Sequence, residues 1–360
     1  MKVFYDGQIY KLAPNQGISR YFTNIISRLP ESYTPILTTY SRVNYPSHQN
    51  LQVFKYKSFR PSRISSFLEK TYFQIVERSI KFNLIHPTYY SLLSQQKLSS
   101  YKCPIILTVW DMIHELFPER IDPYGQQAEE KRKAIHAAQI IICISENTKK
   151  DLLDRYLLPE DKVKVNYLAA AININIAYGS EPVPSRPYYL YVGGRSSYKN
   201  FDGLLSAFAK AVSVQPNLAL CVVGSPLTLI EHQLIADFKL TNHIEHYSYA
   251  SDTHLAKLYR CSIALVYPSL YEGFGIPPLE AMSCGTATIA ANSSSIPEVV
   301  GDAAILFNPQ ATFDLADILI SLVDKPLERD RLIAKGYQRA KMFSWDKTAT
   351  QTFNIYRSVT

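Results

Sequence analysis

Two carboxylates eight residues apart, Glu272 and Glu280, flank the string Gly273-Phe274-Gly275-Ile276-Pro277-Pro278. A carboxylate accepts two hydrogen bonds from vicinal hydroxyls, which suits recognition of a ribose or a hexose. The apolar run Ile263 to Val266 lies just before them, so the segment reads as a strand, a glycine turn and a short helix. Pro277 and Pro278 fit the first turn of that helix, where proline is tolerated. The free N–H groups of Gly275 and Ile276 then face outward from a helix start, where an anion is favoured. Glu272 falls in the loop and Glu280 on the first turn or two of the helix, so the two need not share a face. The plainer reading is that Glu280 favours a helix N-terminus and Glu272 caps a turn.

A second loop carries cations. Tyr191-Val192-Gly193-Gly194-Arg195 leads through Lys199 and Asn200 to Phe201, a strand, paired glycines, two cations four apart and a helix with Asn200 as its N-cap. This spacing aims Arg195 and Lys199 at a phosphate group. A diphosphate leaving group gains negative charge as its bond to a sugar breaks, and two fixed cations stabilise that charge without a metal. No Asp-x-Asp string occurs, and no metal or other cofactor is expected. In the first half, Asn15-Gln16-Gly17 opens a helix, and Gly17 allows backbone amides to approach a ligand. The strand Ile105 to Val109 runs into Trp110-Asp111-Met112-Ile113-His114, which sets Asp111 and His114 at a carboxyl edge. A histidine there can accept or donate a proton near neutral pH. A hydrogen-bonded structural histidine is the plainer alternative.

The elements that must hold these loops alternate along the whole chain. Short β-branched and aromatic runs are separated by stretches of helical period, the pattern of a parallel sheet with crossover helices, so the class is α/β. Strands are expected near Lys2, Ile36, Leu84, Ile105, Ile140 and Val163, then again near Tyr188, Leu218, Ile244, Ile263, Thr288 and Ile305. The stretch from Ala177 to Pro187 has three prolines, a glycine and two serines and sustains neither regular element. It reads as a linker between an N-terminal domain, 1–176, and a C-terminal domain, 188–342. Ligands of doubly wound sheets sit beyond the carboxyl ends of the strands, so two such domains are expected to share a cleft.

Composition narrows the field. With 360 residues, 47% of them hydrophobic and 19% charged, the chain can bury two cores. Five scattered cysteines without a Cys-x-x-Cys pair argue against a disulfide framework and a zinc site. No apolar run approaches a membrane span of roughly 18 to 20 residues, and the N-terminus lacks the apolar core of a secretory signal, so a cytosolic location is expected. Neither G-x-G-x-x-G nor a P-loop occurs, and no nucleic-acid-binding string is found. The net charge of +7 is concentrated: seven Lys or Arg against two Glu lie between Lys55 and Lys81, interleaved with aromatics. That segment suits peripheral contact with an anionic membrane. The preferred reading is a core helix with Phe67, Leu68, Tyr72, Ile75, Val76 and Ile80 inward.

Taken together the strings QGISRYF (16–22), VWDMIHELFPE (109–119), ISENTKKDLL (144–153), YVGGRSSYKNF (191–201), PSLYEGFGIPPLEAMSCGT (268–286) and SSSIPEVVGDAAILF (293–307) give a resemblance, over nearly the full length, to the group 1 (GT4-like) retaining glycosyltransferases of GT-B fold. The resemblance implies two Rossmann-like domains, with a last helix at about 343–360 packing back on the first. It implies transfer of a hexose, mannose first, from a nucleotide-diphosphate sugar to a hydroxyl of a glycan or lipid-linked acceptor, with retention. It assigns Glu272 to the donor sugar, Glu280 to the ribose, Arg195 and Lys199 to the diphosphate, and Gly17 to the glycine motif near it. Two departures stand out: the family's paired glycines are here Gln16-Gly17, and Trp110 replaces the usual histidine before Asp111. Asp111 or His114 then orients acceptor or donor hydroxyls. The competing functions are a nucleotide-sugar epimerase of the same fold and a non-catalytic sugar-nucleotide binder.

Overall fold

The computed structural model describes residues 1–14, 17–41 and 43–360; Asn15, Gln16 and Arg42 lie outside the described residues. The chain forms two compact units, one of Met1–Leu168 with Trp345–Thr360, the other of Ala169–Ser344.

In the first unit, β1 (Lys2–Asp6), β2 (Thr34–Tyr40), β3 (Gln52–Tyr56) and β4 (Leu84–Ile85) form a sheet in the order β3-β2-β1-β4. A parallel bridge between Ile85 and Ile105 continues it to β5 (Ile106–Val109), β6 (Ile140–Cys143) and β7 (Val163–Val165). These strands pair in parallel, and all but the edge strands β3 and β7 are buried on both faces, as crossover helices require. The Ile-Ile-Ile-Cys run of β6 is the clearest case. The edge strand β3 was not among the expected strands, and it is also the least buried.

The Trp345–Ser358 helix completes this unit. Its Tyr356 is fully buried, and the hydroxyl meets that of Tyr5 at 3.0 Å and Nδ1 of His86 at 2.7 Å. Nε2 of His86 pairs with Thr108 Oγ1 at 2.8 Å. Burial drives the His86 pKa down to about 3, so the ring is neutral. Asn166 Nδ2 donates to Thr348 O and Thr352 Oγ1, both at 2.9 Å.

The second unit holds β8 (Tyr188–Val192), β9 (Ala219–Val223), β10 (Ile244–Tyr247), β11 (Leu265–Tyr267), β12 (Thr288–Ala291) and β13 (Ile305–Phe307), all parallel, in the order β10-β9-β8-β11-β12-β13. Counted from β8 as strand 1, this is the 3-2-1-4-5-6 winding of a dinucleotide-type sheet. Its direction reverses between β8 and β11.

The proline-rich stretch expected as a linker at 177–187 lies within the second unit. The chain crosses earlier, after Leu168. Ile172 sits in the second core, and Ile174 N–H donates to Ser283 O at 3.0 Å. Proline excludes regular structure here but leaves carbonyls available, and the Asp252–Cys261 helix takes them. Lys257 Nζ donates to Glu181 O at 2.8 Å, and His254 Nε2 lies 2.9 Å from Pro182 O.

The basic segment also departs from expectation. In the Ser62–Ser79 helix, Phe73 and Val76 are buried while Phe67, Leu68 and Ile75 are exposed. Among the described residues no helix is long and apolar enough to cross a membrane.

Candidate functional site

In the second unit the switch between β8 and β11 brings the loops after those strands together, and Leu270 N–H donates to Tyr198 O at 2.7 Å. Lys199 ends a short 3-10 turn, Ser197–Lys199. Its Nζ donates to Glu272 Oε1 at 2.7 Å and Oε2 at 2.9 Å, and the pair keeps 18% and 10% side-chain exposure. The Glu272 loop is held by a serine triplet. Ser294 Oγ accepts from Glu272 N–H at 2.8 Å, and Ser295 Oγ donates to Glu272 O at 2.8 Å and Phe274 O at 2.9 Å.

Gly275 takes φ of +113°, the left-handed region open to glycine, and so redirects the chain into the Ile276–Cys284 helix. With Pro277 and Pro278 as its second and third residues, this helix start has few N–H groups. Those of Gly275 and Ile276 have no acceptor among the described residues. Glu280 is buried on the same helix, and its Oε2 accepts from Tyr259 Oη at 3.3 Å. Burial first, and then the Glu280 carboxylate, push the Tyr259 hydroxyl well up, so it remains a donor.

Arg195 has a different set of partners from Lys199. Its Nε donates to Glu231 Oε1 at 2.7 Å, and its Nη2 to Ser225 O at 2.8 Å, Pro226 O at 3.0 Å and Glu231 Oε2 at 3.3 Å. Nη1 is buried and has no hydrogen-bond partner among the described residues. Gly224 permits this arrangement, since a Cβ there would lie 2.4 Å from Gly193 O and 3.2 Å from Nη1. Asn200 does not cap the following helix through its side chain. Its φ is +54°, and Nδ2 donates to Pro309 O at 3.0 Å.

In the first unit, Gly17 is exposed at the start of the Gly17–Ser27 helix; Gln16, its partner in the sequence motif, lies outside the described residues. Trp110 is a core residue, edge-on to Tyr21 with ring centroids 5.0 Å apart. Asp111 follows it, with Oδ1 accepting from Ile113 N–H at 3.1 Å. Beside it the ammonium of Lys131, which has no solvent exposure, lies 2.8 Å from Glu115 Oε2, 3.0 Å from Asp111 O and 3.8 Å from Asp111 Oδ1. Burial first and then the Lys131 charge lower the His114 pKa, outweighing the nearby acids, so the ring is neutral at pH 7. Its Nδ1 is buried without a hydrogen-bond partner among the described residues.

The structure therefore brings Lys199 and Glu272 into contact and gives Arg195 and Glu280 separate partners. Sequence reasoning missed Lys131, Glu231 and Tyr259. Only Glu231 left a local trace, as the fourth residue of Thr228-Leu229-Ile230-Glu231, a capping-box string that the structure forms.

Two Rossmann-like parallel sheets in one chain define the GT-B class of α/β enzymes, and solved structures agree. The sucrose-phosphate synthase of Thermosynechococcus elongatus superposes with a TM-score of 0.77 at 19% identity, covering 99% of this chain and 98% of that one. Anabaena HepE, solved in complex with UDP and glucose, gives 0.74 at 18% identity over 99% of both chains. At the level of sequence, residues 179–339 match the family model for glycosyl transferases group 1, and residues 15–169 match that for glycosyltransferase family 4. The O-antigen chain mannosyltransferase B of Escherichia coli is 28% identical over 322 residues, 86% of this chain and 81% of the relative. The chain belongs to the group 1, GT4-type glycosyltransferases.

Proposed function

We propose that the protein transfers a hexose, mannose first, from a nucleotide-diphosphate sugar to an acceptor hydroxyl with retention of configuration, in the assembly of a polysaccharide or glycolipid at the cytosolic face of a membrane. The observation that carries the reading is the Lys199–Glu272 pair at the switch point of the second sheet, 2.7 Å apart and partly open to solvent. A cation and an acid so placed suit the two halves of the donor. The diphosphate takes over the Lys199 ammonium, and the carboxylate of Glu272 turns to the sugar hydroxyls. The N–H groups of Gly275 and Ile276 add donors for the anion. Glu280, oriented by Tyr259, receives the ribose. Arg195 supports the diphosphate, with Glu231 fixing its plane.

In the transfer step the bond from C1 of the sugar to the diphosphate oxygen breaks as a bond from C1 to the acceptor oxygen forms on the same face. The acceptor proton passes to the departing oxygen. Arg195 and Lys199 offset the charge that develops there. Asp111 and neutral His114 orient hydroxyl groups. No metal is needed in this scheme, which predicts that EDTA leaves turnover unchanged. Restoration of an EDTA-abolished rate by Mg²⁺ or Mn²⁺ would overturn it. The mannosyltransferase identity of the E. coli relative supports mannose as the first sugar to test.

The experiment is an assay of GDP-mannose against UDP-, ADP- and dTDP-sugars with a mannoside acceptor, the product's anomeric configuration being read by NMR. Transfer with an α-product from an α-donor is expected. Alteration of the donor sugar without an acceptor would instead identify an epimerase.

A further inference from the structure

The Ser62–Ser79 helix carries two apolar faces. At ~100° per residue, Tyr72, Phe73 and Val76 share the face turned to the core, while Ile64, Phe67, Leu68 and Ile75 fall on another, roughly 120° around. All four of the latter are exposed, Phe67 to 73% and Ile75 to 62%, and Phe59 just before the helix is exposed as well. Scattered surface apolar residues need no explanation, but a continuous stripe of large ones marks a surface that meets something.

The charge around the stripe says what it meets. Of the segment's two acids, Glu69 turns to Lys11 at 2.6 Å and to the Tyr40 hydroxyl. Glu77 is buried, accepting from Tyr101 Oη at 2.6 Å and Gln96 Nε2 at 3.0 Å. Both acids are therefore occupied away from the stripe. By contrast, Lys57, Arg60, Arg63, Lys70, Arg78 and Lys81 form no ion pair among the described residues. On the helix, Arg63 and Lys70 line one border of the stripe, and Arg78 falls just inside that border. A second copy of the chain would set these cations against their own kind.

We propose that this face docks on an anionic lipid bilayer, with Phe67, Leu68 and Ile75 entering the boundary between headgroups and acyl chains and the cations meeting lipid phosphates. It gives the membrane part of the proposed function a definite contact surface. Vesicle binding is read without donor or acceptor, so it stands or falls separately from the transfer reaction.

The test is co-sedimentation of the full chain with sucrose-loaded vesicles of phosphatidylglycerol and phosphatidylethanolamine in equal parts, against phosphatidylcholine alone. The protein should partition onto the anionic vesicles and less so as salt is raised. Phe67→Ser with Ile75→Ser, and separately Lys70→Glu with Arg78→Glu, should each weaken partitioning at least ~tenfold. Thermal unfolding and transfer to a soluble acceptor should remain unchanged, because these side chains are exposed. Equal partitioning of wild type and both variants, or none by any of them, overturns the proposal. So does a dimer dispersed by Phe67→Ser with Ile75→Ser, which assigns the face to a second copy. Binding to polyglutamate but not to vesicles assigns it to an acidic protein.

Discussion

Two lysine–glutamate pairs of nearly equal length, Lys131–Glu115 at 2.8 Å and Lys199–Glu272 at 2.7 Å, differ in what surrounds them. The Lys131 ammonium has no exposure and is also tied to the Asp111 carbonyl, so it has no capacity for a ligand. Lys199 keeps 18% exposure at a strand-order reversal. The same chemical pair is a fastener where solvent is excluded and an exchangeable contact where it is not. Burial, more than residue type, separates the two roles.

The largest effect that would sharpen this contrast is on turnover. Glu272→Ala should lower kcat by about 10³-fold while changing unfolding free energy by less than about 1 kcal/mol. A steady-state assay beside urea denaturation reads both, and a protein that unfolds instead would make this pair a fastener too. Lys131→Met is the mirror case, since it leaves Glu115 buried without its cation. It should cost about 3 kcal/mol of stability, and Glu115→Gln added to it should recover part of the loss. Near-wild-type unfolding of Lys131→Met would erase the distinction.

Third comes the neutral core histidine of the first unit. The folded pKa of His86 is lowered to about 3, so the unfolded chain takes up the proton first. Its contribution is present above pH ~6.5 and is lost as pH falls toward 3. Between pH 7.5 and 5, wild type should lose about 2 kcal/mol more than His86→Gln. The difference matters because Asp6, whose pKa burial raises, acts in the opposite sense in both proteins. Parallel pH profiles would show that His86 is not kept neutral. The smallest effect belongs to Tyr259→Phe, which removes the donor to Glu280. Donor KM should rise roughly fivefold, about 1 kcal/mol, with kcat unchanged; a fall in kcat alone would place Glu280 elsewhere in the reaction.

Much of this architecture is legible in the chain because buried parallel strands are continuous apolar runs, as in Ile140–Cys143. The glycine loops beside Lys199 and Glu272 could be read for a similar reason, since the turns they make demand particular residues. β3 was not, because Gln52 and Lys55 break its apolar run and it lies at a sheet edge. Lys131, Glu231 and Tyr259 were missed because each meets its partner across elements that only tertiary packing brings together. Phe67 and Ile75 were placed inward because helical periodicity permits two apolar stripes, and only the neighbouring sheet decides which is covered. Asn200 follows a capping preference in type but not in geometry.

The first unit draws Tyr356, Thr348 and Thr352 from a helix that the ribosome makes only after the whole of the second unit. The second unit, by contrast, is one unbroken stretch from Ala169 to Ser344. During synthesis the later-encoded half can close its core while the earlier half waits, with the floor beneath Tyr5 and His86 still open. Vectorial translation ordinarily favours the N-terminal domain; here the order of completion is reversed.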